Sequence, residues 1–138
     1  MTTAYFDKVR QHLLALDLEI EREDSDETFF VVHEQARGIV NLLVDCEDEL
    51  LVLEQPIFKV ANRDAAVFGR LLEMNRDMVH GAFVLDPEDG WILFRDTLQL
   101  ANLDLNELDA SINALGLALA EYGLELIAFA HAGEGGQP

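Results

Sequence analysis

This chain of 138 residues is poor in cysteine, in proline and in positive charge. Cys46 stands alone, so no internal disulfide can form and no paired-cysteine zinc motif exists. Nine basic residues face 27 acidic ones, giving a net charge of −18. A field of that sign repels phosphate backbones and anionic lipid, which argues against nucleic acid and against membrane insertion. No run of about 18 apolar residues occurs, so no transmembrane helix is expected. No basic stretch leads into an apolar run at the N-terminus, so no secretory signal is expected and the cytoplasm is the default location.

What is present is apolar and patterned. Half the residues are hydrophobic, which argues for a packed core and against disorder. The plainest local pattern runs from Phe68 to Leu100: a helix, a short loop, then a hairpin. Gly81-Ala-Phe-Val-Leu-Asp86 and Trp91-Ile-Leu-Phe-Arg-Asp-Thr-Leu98 are rich in β-branched and aromatic side chains, as paired strands prefer. Between them Pro87 presets a turn and Gly90 tolerates the positive φ needed to leave it. Alternation points Phe83 and Leu85 one way and Ala82 and Val84 the other, and across the turn it sets Ile92 and Phe94 opposite Trp91 and Leu93. Both faces are apolar, which is unusual for a hairpin with a wet side. One face should lie on helices and the other on a second subunit, a partner or more of this chain.

Upstream, Thr2 or Thr3 can cap a first helix with Asp7 in its first turn, and Phe6, Val9, Leu13 and Leu16 form its stripe. Leu18–Glu21 alternates like a short strand or lead-in, with a turn at Asp24-Ser-Asp26. Strands follow at Thr28–His33, Ile39–Cys46 and Leu50–Gln55, with Pro56 ending, bulging or edging the last and Ile57-Phe58 able to continue it. Asn62 can cap a second helix whose stripe is Val67, Leu71, Met74 and Met78, flanked by Phe68 and Leu72. Asp104 and Glu107 have the spacing of a capping box. Leu105, Leu108, Ile112, Leu115, Leu119, Tyr122, Leu126 and Phe129 keep a 3.5-residue seam through Gly123, so one long helix is expected. That seam is read first as a core stripe and second as a site for a helical partner. The Gly-rich tail from 131 to 138 is expected to be disordered. The whole is one α+β domain, residues 1–130, in the order α-β-β-β-α-β-β-α: an antiparallel sheet with helices mainly on one face.

This order resembles the Tir-chaperone-like fold, which includes the type III secretion chaperones and the YbjN family. Phe68 through Asn75 carries it, in the pattern aromatic-x-x-Leu-Leu-x-x-Asn. The strand Phe83–Asp86, the acidic Gly turn, the strand ending Arg95-Asp-Thr-Leu98 and the helix start Leu103–Leu108 complete it. The resemblance implies a small, acidic, non-enzymatic bacterial homodimer that binds segments of a partner or client protein, as a chaperone or regulator. In that group a client can also add a strand to a sheet edge.

Residues that could carry chemistry have simpler explanations. His33 and Glu34 lack a second histidine at ligand spacing, and the acids around Cys46 lack the alternation and glycine of a calcium loop, so no metal is expected. Acidic neighbours raise a thiol pKa, which makes Cys46 a structural residue. No phosphate loop or nucleophile elbow occurs. No catalytic residue and no cofactor is therefore expected. Arg95 and Asp96 are charges within an apolar strand, read either as an ion pair with a carboxylate of the same sheet or of a partner subunit, or as plainly exposed. Trp91, Leu93, Phe94 and Arg95 are the expected dimer contact, and Val40, Leu42, Leu51 and Leu53 the expected partner contact. The alternatives are a small-molecule sensor or enzyme with a pocket between helices and sheet, and a structural subunit recruited through its C-terminal helix.

Overall fold

In the hairpin, both turn aspartates act on the backbone: Asp86 Oδ1 accepts the Glu88 N–H at 3.0 Å and Asp89 Oδ1 the Trp91 N–H at 3.0 Å. Gly90 leaves the turn at φ +79°, the left-handed region that glycine enters without a Cβ clash. The computed structural model describes residues 2–60 and 62–135, and the side chains of 4–60 and 62–132. Helix α1 (Thr2–Ala15) precedes four strands, β1 (Glu19–Asp24), β2 (Phe29–Glu34), β3 (Ile39–Glu47) and β4 (Leu50–Lys59). Then come α2 (Ala65–Asp77), the hairpin β5 (Ala82–Leu85) and β6 (Trp91–Gln99), and α3 (Leu105–Gly135). All strands form one antiparallel sheet in the order β1-β2-β3-β4-β6-β5. The expected fold class holds and the order gains one strand: the Leu18–Glu21 stretch, read as a short strand or lead-in, becomes a full strand that reaches Asp24, so four strands rather than three precede α2.

The three helices cover one face of this sheet and build two apolar clusters. Phe6, Val9 and Leu13 of α1 meet Phe30, Val32, Leu42, Val44, Leu51, Leu53 and Phe94, closed by Leu108, Ile112 and Leu115 of α3. Val67, Leu71 and Met74 of α2 meet Phe58, Phe83 and Ile92, closed by Ala118, Tyr122 and Leu126 of the same α3. The last helix therefore roofs both halves of the core. Its capping box is formed: Glu107 donates its N–H to Asp104 Oδ1 at 2.8 Å, and Glu107 Oε1 accepts the Asp104 N–H at 3.0 Å. Ser111, buried, donates to Asp96 Oδ2 at 2.8 Å and fixes the helix to β6.

Local expectations shift in four places. α1 begins at Thr2, so Asp7 lies in its second turn, where it pairs with Arg10 at 2.9 Å; the cap expected at Thr2 or Thr3 falls on side chains outside the described set. Asp64, not Asn62, caps α2, accepting the Ala66 N–H at 2.9 Å and the Val67 N–H at 3.4 Å. Leu72 stands out from the α2 stripe, exposed beside buried Leu71. α3 continues through Gly123 to Gly135, so the tail expected to be disordered is helical over residues 131–135; residues 136–138 lie outside the described set. Pro56 bulges β4 within the sheet, between Pro56 and Phe58, and Ile57-Phe58 carries the strand on.

Candidate functional site

Among the described residues no helix covers the second face of the sheet. Straight across it runs a row of cross-strand neighbours, Val31–Leu43–Glu54–Arg95–Ala82. A parallel row runs Phe29–Asp45–Val52–Thr97, and a third, just before the β4 bulge, brings Pro56, Leu93 and Val84 together. The apolar members form two bands, one around Val31 and Leu43 and one around Leu93, Trp91 and Val84, with carboxylates between them. Arg95 does pair with a carboxylate of its own sheet, Glu54 directly across. Asp45 has no such partner among the described residues. Burial between Phe29 and Val52, a hydrogen bond with the Glu47 carboxyl and the charges of Glu47 and Glu54 push it up to about 7. The centre of this face is therefore apolar and net acidic.

Both edges of the sheet are guarded. Asn75 of α2 reaches the outer edge of β5, where its Oδ1 accepts the Phe83 N–H at 2.7 Å and its Nδ2 donates to the Phe83 carbonyl at 3.1 Å. The other edge, β1, is charged at every position but Ile20 and is irregular between Ile20 and Arg22. Both are devices that discourage an incoming strand, so the strand addition allowed by the family resemblance is not favoured here.

Over residues 2–132 the chain matches the CesT_Tir_1 family model. It belongs to the CesT_Tir_1 family. Solved structures share this family member's fold at low identity. YbjN from E. coli superposes with a TM-score of 0.64 at 12% identity, over 86% of this chain and 91% of that one. A chain of the HopA1–SchA chaperone–effector complex gives 0.58 at 15% identity, over 80% and 87%. The Yersinia pestis type III secretion chaperone SycH, solved with a fragment of YscM2, gives 0.56 at 15% identity, over 87% and 98%. None of the curated proteins matches it by sequence.

The residues expected at contacts fall in different places in this CesT_Tir_1 chain. Trp91 and Leu93 are half-buried on the open face, and Arg95 is exposed beside them. Phe94 is not at a surface: it points to the helices and is fully buried. Val40 is exposed, but Leu42, Leu51 and Leu53 are fully buried in the chain's own core and cannot meet a partner while it is closed. The physical reason is a bulge. Asn41 adopts φ +55° and the β2–β3 register shifts between Val32 and Glu34, so Val40 and Leu42 leave the strand on different sides despite their even spacing.

The bulge has a further effect that sequence reading missed. It leaves the Val40 N–H and the Gly38 carbonyl without strand partners, and a buried side chain takes both. Gln55 Oε1 accepts the Val40 N–H at 3.1 Å and Gln55 Nε2 donates to the Gly38 carbonyl at 3.1 Å. A glutamine followed by Pro56 at the end of a strand pattern was the only sequence signal for it. Beside this closed wall, two open grooves of about 440 and 260 Å³ run along α3. Among the described residues Arg37 is the one charged residue lining them, and Glu34 already binds it at 2.6 and 2.8 Å. The grooves lack the convergent polar groups that fix a small molecule.

Sites for chemistry fare no better. Burial first and Asp45 second push the Cys46 thiol up to about 11, which suppresses the thiolate. His33 accepts the Asn41 N–H at Nδ1 (3.4 Å) and lies 2.9 Å from Glu21 through Nε2, a structural environment. Among the described residues no group of three or more His, Cys, Asp or Glu is arranged to hold a metal ion. By length and composition alone, Leu105–Ala132 of α3 could cross a bilayer, with a mean hydropathy of 1.4, although its inner stripe closes the core.

Proposed function

We propose that this chain is a non-enzymatic, chaperone-like or regulatory protein-binding module, an acidic cytoplasmic homodimer that binds segments of a partner protein. The observation that carries this reading is the helix-free face of the sheet, where two apolar bands flank a net acidic centre. Its apolar side chains, among them Val31, Leu43, Trp91 and Leu93, are half-buried by their own neighbours, and grouped apolar side chains on a sheet face without a helix offer a partner a surface to cover. Family membership supports it: the structures that share the fold include chaperones solved with protein partners.

The chemistry of the face selects its occupant. Asp45, Glu47 and Glu54 crowd its centre, where Arg95 is already paired with Glu54, while Arg22 over Phe29 and Lys59 across from Trp91 stand toward its two ends, so a second copy laid centre to centre would set carboxylates against carboxylates. A partner segment with apolar side chains and an added basic residue meets the face without that repulsion. Trp91, Leu93 and Arg95, which the sequence alone places at a dimer contact, are assigned on this ground to the partner surface. Because both sheet edges are guarded, the segment lies across the face rather than extending the sheet.

The test compares wild type with Trp91→Asp as tagged baits in a lysate of the source organism, read by quantitative mass spectrometry. One dominant protein recovered with wild type and reduced at least about tenfold with Trp91→Asp is expected, since an aromatic anchor at an interface commonly carries 2 kcal/mol or more. Recovery of the bait alone would overturn the reading, as would equal recovery by a folded Trp91→Asp.

A further inference from the structure

At the centre of the helix-free face, Asp45 is flanked by apolar side chains. Phe29 lies directly across from it on β2 and Val52 on β4, the first half-buried and the second buried. Half-buried itself, the carboxylate keeps only part of its water. The charged groups around it are of its own sign or already engaged. Glu47, two residues along β3, shares a hydrogen bond with it, Glu54 stands diagonally across on β4, and Glu27 precedes β2. Arg95 of β6 binds Glu54, and Arg22 of β1 lies 5.1 Å over the Phe29 ring. Asp24, across from Phe29 on β1, accepts the N–H groups of Asp26 and Glu27. Lys59 stands away at the Trp91 end of the sheet. Among the described residues no cation pairs with Asp45 or Glu47. The helices pack on the opposite face.

We propose that partner binding at this face is proton-coupled: the partner seats a basic side chain at Asp45, and Asp45 releases its proton as the complex forms. The inference rests on the partner-binding reading above and adds the regulation of that surface. A segment laid across the face removes the water that Asp45 still has. A carboxyl group buried without a counter-charge stays protonated, and one beside a cation ionises. The two forms therefore fit different occupants. An apolar residue at this spot would make binding take a proton up, and a basic residue makes it give one off. Glu47 decides between them. It stays beside Asp45 in the complex, so an apolar cover would bury two uncompensated acids, whereas one basic side chain answers both.

The position fits a switch near neutral pH. In the free chain burial, then Glu47 and Glu54, push Asp45 up to about 7. Asparagine would fill the same space without the repulsion. Above pH 7 the carboxylate thus weakens the free fold, and it strengthens a complex that brings it a cation. With Asp45 ionised in the complex, affinity follows the ionised fraction of the free chain, about 0.9 at pH 8 and about 0.1 at pH 6. Binding should weaken about tenfold between those values, and about half a proton should leave per complex at pH 7.

Tagged full-length wild type, Asp45→Asn and Trp91→Asp, each held below saturation in a lysate of the source organism at pH 6 and at pH 8, test this. The protein that wild type captures and Trp91→Asp loses is then purified and titrated calorimetrically at pH 7 in phosphate and in Tris, which reads proton release. Wild type should recover about tenfold more of it at pH 8 than at pH 6 and release about half a proton. Asp45→Asn, its fold checked by circular dichroism, should recover it at the low-pH level or below at both values and release none. Bait alone at both pH values fails the partner reading and takes this inference with it. A protein recovered equally at pH 6 and pH 8 overturns the proton coupling and leaves the partner reading standing. An unchanged pH ratio with Asp45→Asn would put the titration on another group, and better recovery at pH 6 would mean an apolar cover; either overturns the proposal.

Discussion

Asp45 shows how one position can set a pH response. Phe29 and Val52 lie directly across from it on either side, so its charged form loses solvation, and Glu47 and Glu54 add repulsion. Its folded pKa of about 7 lies above the unfolded value of about 3.9. The folded state therefore binds the proton more tightly, and the stability this contributes is fully present below about pH 4 and is lost as pH rises through 7. Glu23 and Glu34 oppose it: hydrogen bonds from Arg10 and Arg37 lower their pKa values, and that stability is lost in acid. Asp45→Asn should thus raise Tm by about a few degrees at pH 8 and change it little at pH 5. Thermal melts across that range check it; parallel pH profiles for the two proteins would clear Asp45 of the role. Its neighbour Cys46 was readable from sequence in direction but not in cause, since burial outweighs the acidic neighbours in raising the thiol.

At the scale of elements, α3 was the most legible part of the chain, because its seam of eight residues keeps phase across Gly123. That glycine is a weak point in the helix with open space over it. Gly123→Ala should stabilise the monomer by about 0.5–1 kcal/mol, measured by urea unfolding at low protein concentration. The helices and the hairpin were readable for the same reason: regular periodicity and turn chemistry repeat over many residues. The contact residues were less so. Even spacing put Val40 with Leu42, and one residue at positive φ, Asn41, separated them. Leu51, Leu53 and Phe94 alternate correctly, but alternation does not say which side the helices take. Gln55 could not have been found by pattern, since its role arises only where a bulge opens two backbone groups of another strand.

For the whole molecule, net charge is the dominant property. Carboxylates crowd a small surface and repel one another, and salt screens that repulsion within about 10 Å at 0.1 M. Raising sodium chloride from low to near-physiological levels should lift Tm by about a few degrees, as calorimetry would show; a Tm that falls with salt would mean that ion pairs such as Arg70–Glu125 outweigh the repulsion. Three helices on one face and none on the other is the arrangement that the sequence suggested through its two-sided apolar hairpin. The roofing of both core clusters by α3 also has a consequence in time. The ribosome makes this helix after every strand it covers, so the sheet emerges with Phe30, Leu53, Phe58 and Ile92 still bare. Until α3 leaves the exit tunnel the nascent chain has no closed interior. A chain for which a partner-binding role is proposed thus spends its own synthesis in need of cover.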